Sequence, residues 1–354
     1  MIPLILCAVA PPVGWMFTID KSPAWVWLVL ICALAGIGLL FTKVNSFIKF
    51  IAIAGFLNCF FSSVPFASFM AYIGIILCCY YYWLCSTIEH WKPILKAVQA
   101  TVFLNLIILF MQYFGHDTLL NFGRENISCY GIVGNAMQMA SFSLVAAGFI
   151  IPVSAAYLFF PVIAAMVGHT VYAIIVSVLA WFIISMKSSL KYWRWVNLVL
   201  VILAISWVFN LSGQYKSFSQ GFMVARVPVW QKIIEIANQR PLMGWGLGTF
   251  KVVFPALEGR ELIRQAGIFG TAHNCWLQIF FETGYIGLVT ALSALIALLL
   301  MVWKRGNIYC FVGLIMLALN MLVYFPTRIL QAGFMVVAYL AYCEHQMKER
   351  NHGL

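Results

Sequence analysis

Apolar residues in this chain come in long runs, separated by short polar or basic punctuation. A run of roughly twenty apolar residues crosses a bilayer as a helix. On that criterion about twelve spans are predicted, near 2–18, 24–41, 47–62, 66–85, 94–114, 132–150, 152–168, 170–186, 195–211, 285–303, 308–325 and 329–343. The pattern changes between 212 and 284, where polar and apolar residues mix and no run is long enough to cross. The expected fold class is therefore an all-α polytopic membrane protein. Residues 1–354 form a single membrane domain, with 212–284 as one long loop inside it. No internal repeat is visible.

Inside the loop a second period appears. Trp230, Ile233, Ile234 and Ala237 recur at i, i+3, i+4 and i+7, with Gln231, Lys232, Glu235 and Asn238 opposite them. This spacing predicts an amphipathic helix, with Pro228 suited to its first turn. Such a helix is expected to lie in the membrane–water interface, anchored by Trp230. Arg240-Pro241 ends it. A glycine turn follows, with Gly244, Gly246 and Gly248 alternating with Trp245 and Leu247. A mixed basic and acidic patch, Lys251 to Arg264, comes next. Just before the next apolar run His273 heads a helix on which Asn274, Gln278 and Glu282 fall at i, i+4 and i+8, stacked on one face. A polar stripe on an apolar helix is costly near a membrane unless it has a purpose.

Composition agrees with the span pattern: 64% of the 354 residues are hydrophobic and 9% charged, with mean hydropathy +0.97. Soluble domains carry about 25% charged residues. The first residues lack a basic n-region and a small-residue cleavage site, so the first run reads as a retained span. Lysine and arginine set the orientation. With the N-terminus inside, Lys43, Lys49, Lys92, Lys96, Lys187, Lys191, Arg194, Lys304, Arg305, Lys348 and Arg350 lie in inner loops, eleven in all. Only Lys21, Arg124 and Arg328 lie in short outer loops. The long loop is therefore expected outside, with both termini inside. The same asymmetry accounts for much of the +11 net charge without a nucleic-acid partner and adds attraction to anionic membrane lipid. Most of the ten cysteines sit in apolar runs and none forms a C-x-x-C pair, which argues against a metal or redox site. Cys129 and Cys275 both fall on the outer side, either as a disulfide or by chance placement.

The pairing of G-W-G-L-G-T-F (246 at its third residue) with A-H-N-C-W-L-Q-I-F-F-E-T-G-Y-I-G-L resembles the O-antigen ligase family, which includes O-antigen polymerases and related membrane glycan transferases. The close part of the resemblance runs from about Arg226 to Leu288. The glycines alone carry little, because no strand precedes them as a dinucleotide-binding reading requires. The resemblance implies a GT-C-like membrane enzyme at the outer face of the cytoplasmic membrane. It implies transfer of a glycan from a polyprenyl-diphosphate carrier to an acceptor hydroxyl, without a metal or other cofactor. The acceptor is lipid A core in the ligase reading and a second carrier-linked glycan in the polymerase reading. It also implies that the histidine at position 273 is catalytic and that an arginine belongs at position 226.

The residues themselves support parts of this. A neutral imidazole can take a proton from a sugar hydroxyl, so His273 is the candidate base; its structural reading is a satisfied interfacial histidine. A guanidinium fork matches phosphate oxygens, which makes Arg226 and Arg124 candidates for the diphosphate, with Arg328 a third. For each the plain reading is a snorkelling interfacial cation. Asn274, Gln278 and Glu282, with Gly246 and Gly248, are expected around the substrate. Asn135, Gln138 and Ser141 form a polar face on the sixth span; Asn135 and Gln138 are candidates for substrate lining, and helix–helix hydrogen bonding is the alternative. The outer acids form no D-x-D or E-x-D pair of the kind that holds a hard divalent ion. A lipid-linked oligosaccharide transporter or flippase is the reading from another class. It predicts polar groups at mid-span, whereas the polar residues here gather at the outer face.

Overall fold

The computed structural model describes residues 46–115, 136–167, 171–187, 226–259, 269–305, 307–324 and 330–351. Among these there are helices and no strand: α1 (Ser46–Phe61), α2 (Pro65–Ser86), α3 (Lys92–Tyr113), α4 (Ala136–Ile150), α5 (Phe159–Val167), α6 (Val171–Lys187), α7 (Val227–Ala237), α8 (Phe250–Leu257), α9 (Cys275–Lys304), α10 (Ile308–Val323) and α11 (Leu330–Asn351), with a 3₁₀ turn at Ala155–Leu158. The all-helical expectation holds for the described residues. By length and composition α2, α3 and α9 are long and apolar enough to cross a membrane. The expected spans at 2–18, 24–41 and 195–211 lie outside the described residues. The span expected at 152–168 is instead a 3₁₀ turn followed by the nine-residue α5. Nine helical residues cover about 14 Å, less than half of a hydrocarbon core of about 30 Å. Pro152 explains the interruption, because the residue before a proline avoids the helical region and α4 ends at Ile150.

The chain divides into two compact units. One comprises Met1–Asp20, Cys85–Ser212 and Leu299–Leu354; the other comprises Lys21–Leu84 and Gly213–Leu298. In the first, α4, α6 and α10 share a core that includes Ala140, Leu144, Ala147, Ala173, Val176, Val312 and Met316. Small residues let the backbones meet: a Cβ on Gly148 would stand 3.3 Å from the Gly313 Cα, the close approach that small residues permit in membrane helices. Asn320 Nδ2 donates to the Ser141 carbonyl at 3.0 Å, a helix–helix bond made by the Ser141 backbone, while the Ser141 hydroxyl is buried without a hydrogen-bond partner among the described residues.

The second unit is built around aromatic packing. Ile233 of α7, Phe250 and Phe254 of α8, and Phe280 and Phe281 of α9 form its core. Phe250 and Phe254 stack at 4.8 Å between ring centroids, and Phe281 meets Phe250 edge-on at 5.0 Å. Each such side chain, fully buried, stabilises the fold by roughly 1.5–3 kcal/mol.

Two expectations change here. α7 forms where the sequence predicts it, but its buried face is Val229, Ile233, Ile236 and Ala237, while Ile234 is 42% exposed. The buried stripe is rotated because Val229 and Ile236 reach the aromatic core. In addition, the stretch expected as a charged patch contains α8, which buries Phe250, Val253 and Phe254.

Candidate active site

Within the second unit, α9 is broken at Gly284, whose φ of 66° and ψ of −166° are not helical. A Cβ there would run into the Leu242 carbonyl, so only glycine fits. The break lets the chain at 285 and 286 pair with the glycine turn. Tyr285 N donates to the Pro241 carbonyl at 2.7 Å and Ile286 N to the Leu242 carbonyl at 3.4 Å. On the other side of the break, Trp245 N donates to the Phe281 carbonyl at 3.0 Å and Gly246 N to the Glu282 carbonyl at 2.9 Å. The glycine turn thus occupies the carbonyls that a helix break leaves open.

The polar stripe holds this assembly from inside. Asn274, Gln278 and Glu282 are all buried. Asn274 caps α9: its Oδ1 accepts from Trp276 N at 3.0 Å and Leu277 N at 3.1 Å, the ordinary service of an N-cap side chain. Gln278 Nε2 donates to Glu282 Oε1 at 2.8 Å, and Gly248 N donates to Glu282 Oε2 at 2.8 Å. Gln278 Oε1 accepts from Ala272 N at 3.4 Å. A buried carboxylate without such donors would be strongly penalised. The stripe joins the glycine turn to the residue before His273.

Gly246 has φ of 113°, a conformation open to glycine, and a Cβ on it would strike Ser62 Oγ. Gly248 is packed likewise against Ala67 and Ala71. These glycines serve close packing on the α1–α2 hairpin. Trp245 reinforces the turn. Its Nε1 donates to the Ile236 carbonyl at 3.1 Å, and the Arg240 guanidinium sits 4.7 Å over its ring.

His273 itself is half-buried and left-handed, with φ of 50°, the one non-glycine residue with positive φ among the described residues. That conformation costs an ordinary residue about 1–2 kcal/mol, and strained backbone gathers at functional sites. Its neighbours are pinned. Trp230 Nε1 donates to the Ala272 carbonyl at 2.8 Å, and Asn274 is fixed as the cap. The Phe269 ring stands edge-on to the imidazole at 5.8 Å. Burial, and then the positive charge of Arg226, push the His273 pKa down from 6.5 to about 4. The imidazole is therefore neutral at pH 7.

Trp230 thus clasps the segment carrying His273. Arg226 lies one helical turn before Trp230, at the N-cap of α7, so the two residues share the face that meets 272–273. Arg226 lies near enough to His273 for its charge to lower the imidazole pKa. Gln138 belongs to the other unit, on α4, where it is half-buried. Arg124, Asn135, Arg328 and Cys129 lie outside the described residues; Cys275 is buried at the start of α9. Among the described residues no group of three His, Cys, Asp or Glu side chains could hold a metal ion. Glu258 is buried at the end of α8, and burial pushes its carboxyl pKa up.

Sequence reasoning missed Asn58, Ser63 and Ser68. Ser63 Oγ and Ser63 N both donate to the Trp245 carbonyl, at 2.8 and 2.9 Å. Ser68 Oγ lies 2.7 Å from the Leu247 carbonyl. Leu247 N donates to Asn58 Oδ1 at 2.8 Å. The only hint in the chain is a polar cluster, N-C-F-F-S-S, closing an otherwise apolar run.

Comparison with curated proteins gives no match. A family model described as O-Antigen ligase matches residues 153–292, a stretch that contains Arg226, the glycine turn, His273 and the polar stripe. That match supports placing the chain in the O-antigen ligase and polymerase superfamily of membrane glycan transferases.

Proposed function

We propose that this chain transfers a glycan from a polyprenyl diphosphate to a hydroxyl of lipid A core or of a second carrier-linked glycan. The reaction takes place at the outer face of the cytoplasmic membrane. The acceptor oxygen attacks the anomeric carbon and its proton passes to His273. The bond from that carbon to the diphosphate oxygen breaks, and the polyprenyl diphosphate leaves with the electron pair. Arg226 and Arg124 hold the diphosphate and offset the charge on the leaving group. No metal ion takes part. Asn274, Gln278 and Glu282 act by fixing His273 and the glycine turn. Asn135, Gln138 and Arg328 remain candidate substrate-binding residues, and membrane lipid surrounds the protein.

The observation that carries this reading is a strained, neutral His273 that feels the charge of Arg226, in the stretch that matches the family. A neutral imidazole can accept a proton, and a guanidinium at a helix N-terminus favours an anion. A base within reach of a cation's field suits a reaction that breaks a phosphate ester beside an incoming hydroxyl.

The test is turnover by the purified protein in liposomes, with a carrier-linked glycan donor, excess chelator and no ion gradient. Transfer is expected. Dependence on added magnesium or manganese would overturn the metal-free mechanism, and gradient-driven movement without transfer would favour a flippase. Arg226→Lys keeps the charge and loses the fork. It is expected to lower transfer by about tenfold or more, since losing one charged hydrogen bond costs about 1.5–3 kcal/mol. Near-normal transfer in that variant would make Arg226 an interfacial cation only.

A further inference from the structure

We propose that Asn58, on the α1–α2 hairpin and outside the stretch that matches the family, is a positioning residue for His273. It would act through a line of hydrogen bonds joined by two peptide links, Leu247–Gly248 and Ala272–His273. This rests on the reading of His273 as the base. The line begins at Asn58. Its Oδ1 accepts from Leu247 N at 2.8 Å, and its Nδ2 lies 3.4 Å from the Met243 carbonyl. The backbone amide fixes which end of the side-chain amide is oxygen. The next residue, Gly248, donates its N–H to Glu282 Oε2 at 2.8 Å. Glu282 Oε1 accepts from Gln278 Nε2 at 2.8 Å, and Gln278 Oε1 accepts from Ala272 N at 3.4 Å. His273 follows. Five residues thus connect the α1–α2 hairpin to the left-handed position at 273, all within one compact unit.

The neighbouring serines show that the hairpin is shaped for this loop. Ser68 Oγ lies 2.7 Å from the Leu247 carbonyl and 2.6 Å from Ser62 Oγ. One hydroxyl has one proton to give, so Ser68 donates to the carbonyl and accepts from Ser62. Met243, Trp245 and Leu247 carbonyls and the Leu247 amide are therefore all met by side chains of 58–68. Asn58 is 8% exposed. A polar side chain there costs desolvation unless it is bonded, and the loop supplies the bonds.

The line also explains what the strain at His273 is held against. A left-handed residue persists only where its surroundings over-determine it. Trp230 and Asn274 pin the segment locally, while Asn58 ties it to the membrane part of the same unit. A displacement of about 1 Å at the reacting group can cost roughly a hundredfold in rate.

The experiment uses the full chain in nanodiscs with two variants. Asn58→Leu removes both bonds at nearly equal size. Asn58→Asp keeps the acceptor for Leu247 N and loses the longer contact to Met243. Transfer kinetics, donor affinity and hydrogen exchange of peptides covering 243–249 and 272–283 are measured in each. Asn58→Leu is expected to lower kcat by about tenfold to a hundredfold with donor affinity unchanged, and to speed exchange in both peptides. Asn58→Asp is expected to recover most of the kcat. Unchanged exchange at 272–283 in Asn58→Leu would overturn the line of bonds. Faster exchange with unchanged kcat would overturn the positioning role. Should Asn58→Leu fail to fold, Asn58→Asp decides alone: normal exchange at 243–249 supports the acceptor role, and exchange as fast as in a Gln278→Ala control contradicts it. His273→Ala, assayed beside these, separates the two readings. Full transfer by His273→Ala removes the base, while the exchange data still report on the line of bonds.

Discussion

The two halves of α9 obey opposite rules. Residues 275–283 are mostly buried and carry Gln278 and Glu282, whose side chains bind backbone amides of other segments. Residues 285–304 are almost wholly apolar, and Ile286, Val289, Ile296 and Leu300 are all exposed. They recur at spacings of three, seven and four along the helix, so they lie on one side. In water such a stripe would be a liability; in a bilayer it is the ordinary surface of a span. Gly284 separates the halves. The comparison shows how this chain docks a loop on the end of an apolar helix. A helix is ended by one glycine, its open carbonyls are given to a loop, and the polar side chains that would be costly in lipid hold that loop in place.

Breaking the divider has the largest expected effect. Gly284→Ala places a methyl group against the Leu242 and Pro241 carbonyls at a backbone angle that alanine resists. A cost above about 4 kcal/mol is expected, in the range of the exceptional single substitutions. Size exclusion in detergent should show little monodisperse protein. A well-behaved Gly284→Ala protein would mean that the break is not needed for the loop to dock.

A matched pair sharpens the contrast. Phe281, in the first half, is fully buried among Phe250, Phe254 and Trp245. Phe281→Ala is expected to cost about 3–5 kcal/mol. Val289, in the second half, is 58% exposed, and Val289→Ala is expected to stay within about 0.5 kcal/mol. Thermal unfolding in one nanodisc composition checks both. Equal losses would erase the distinction between the two halves.

Between these effects in size lies the pH response of His273. Its pKa in the fold is about 4, against 6.5 without burial and Arg226. Between those values the unfolded chain binds more protons, so stability rises with pH through that window and is lost as pH falls through it. The rate has the same sign. kcat/KM reports the free enzyme, so its acid limb is expected near pH 4. Donor diphosphate would offset the charge of Arg226, which moves the acid limb of kcat upward. An acid limb of kcat/KM at 6.5, abolished in His273→Gln, would contradict the environment described for the imidazole.

Much of this arrangement is legible in the sequence and some is not, for physical reasons. The start of the tenth expected span at 285 matches the break at Gly284, because the last polar residue of the stripe and the first unbroken apolar run meet there. The helix at 227–237 is visible from its period. Its buried face is not, because Val229 and Ile236 are apolar on both readings and only the position of the aromatic core chooses between them. α8 carried its own signal in Phe250, Val253, Phe254 and Leu257, at i, i+3, i+4 and i+7, which the neighbouring charges obscured. The stripe of Asn274, Gln278 and Glu282 could be read as a face, but not what it faces: its partners are backbone amides, which have no sequence signature. Asn58 is 189 residues from Leu247, a distance no local pattern spans.

The central claim is that His273 acts as the base while Arg226 and its neighbours bind the donor. The direct measurement is single-turnover transfer by His273→Ala in nanodiscs, with the affinity for carrier-linked donor measured on the same preparation. General-base help is worth about 10²–10⁴-fold. The expected result is a loss in that range, with donor affinity and the size-exclusion profile unchanged. Transfer at the wild-type rate with normal donor binding would contradict the account and leave His273 a strained residue that serves only the fold.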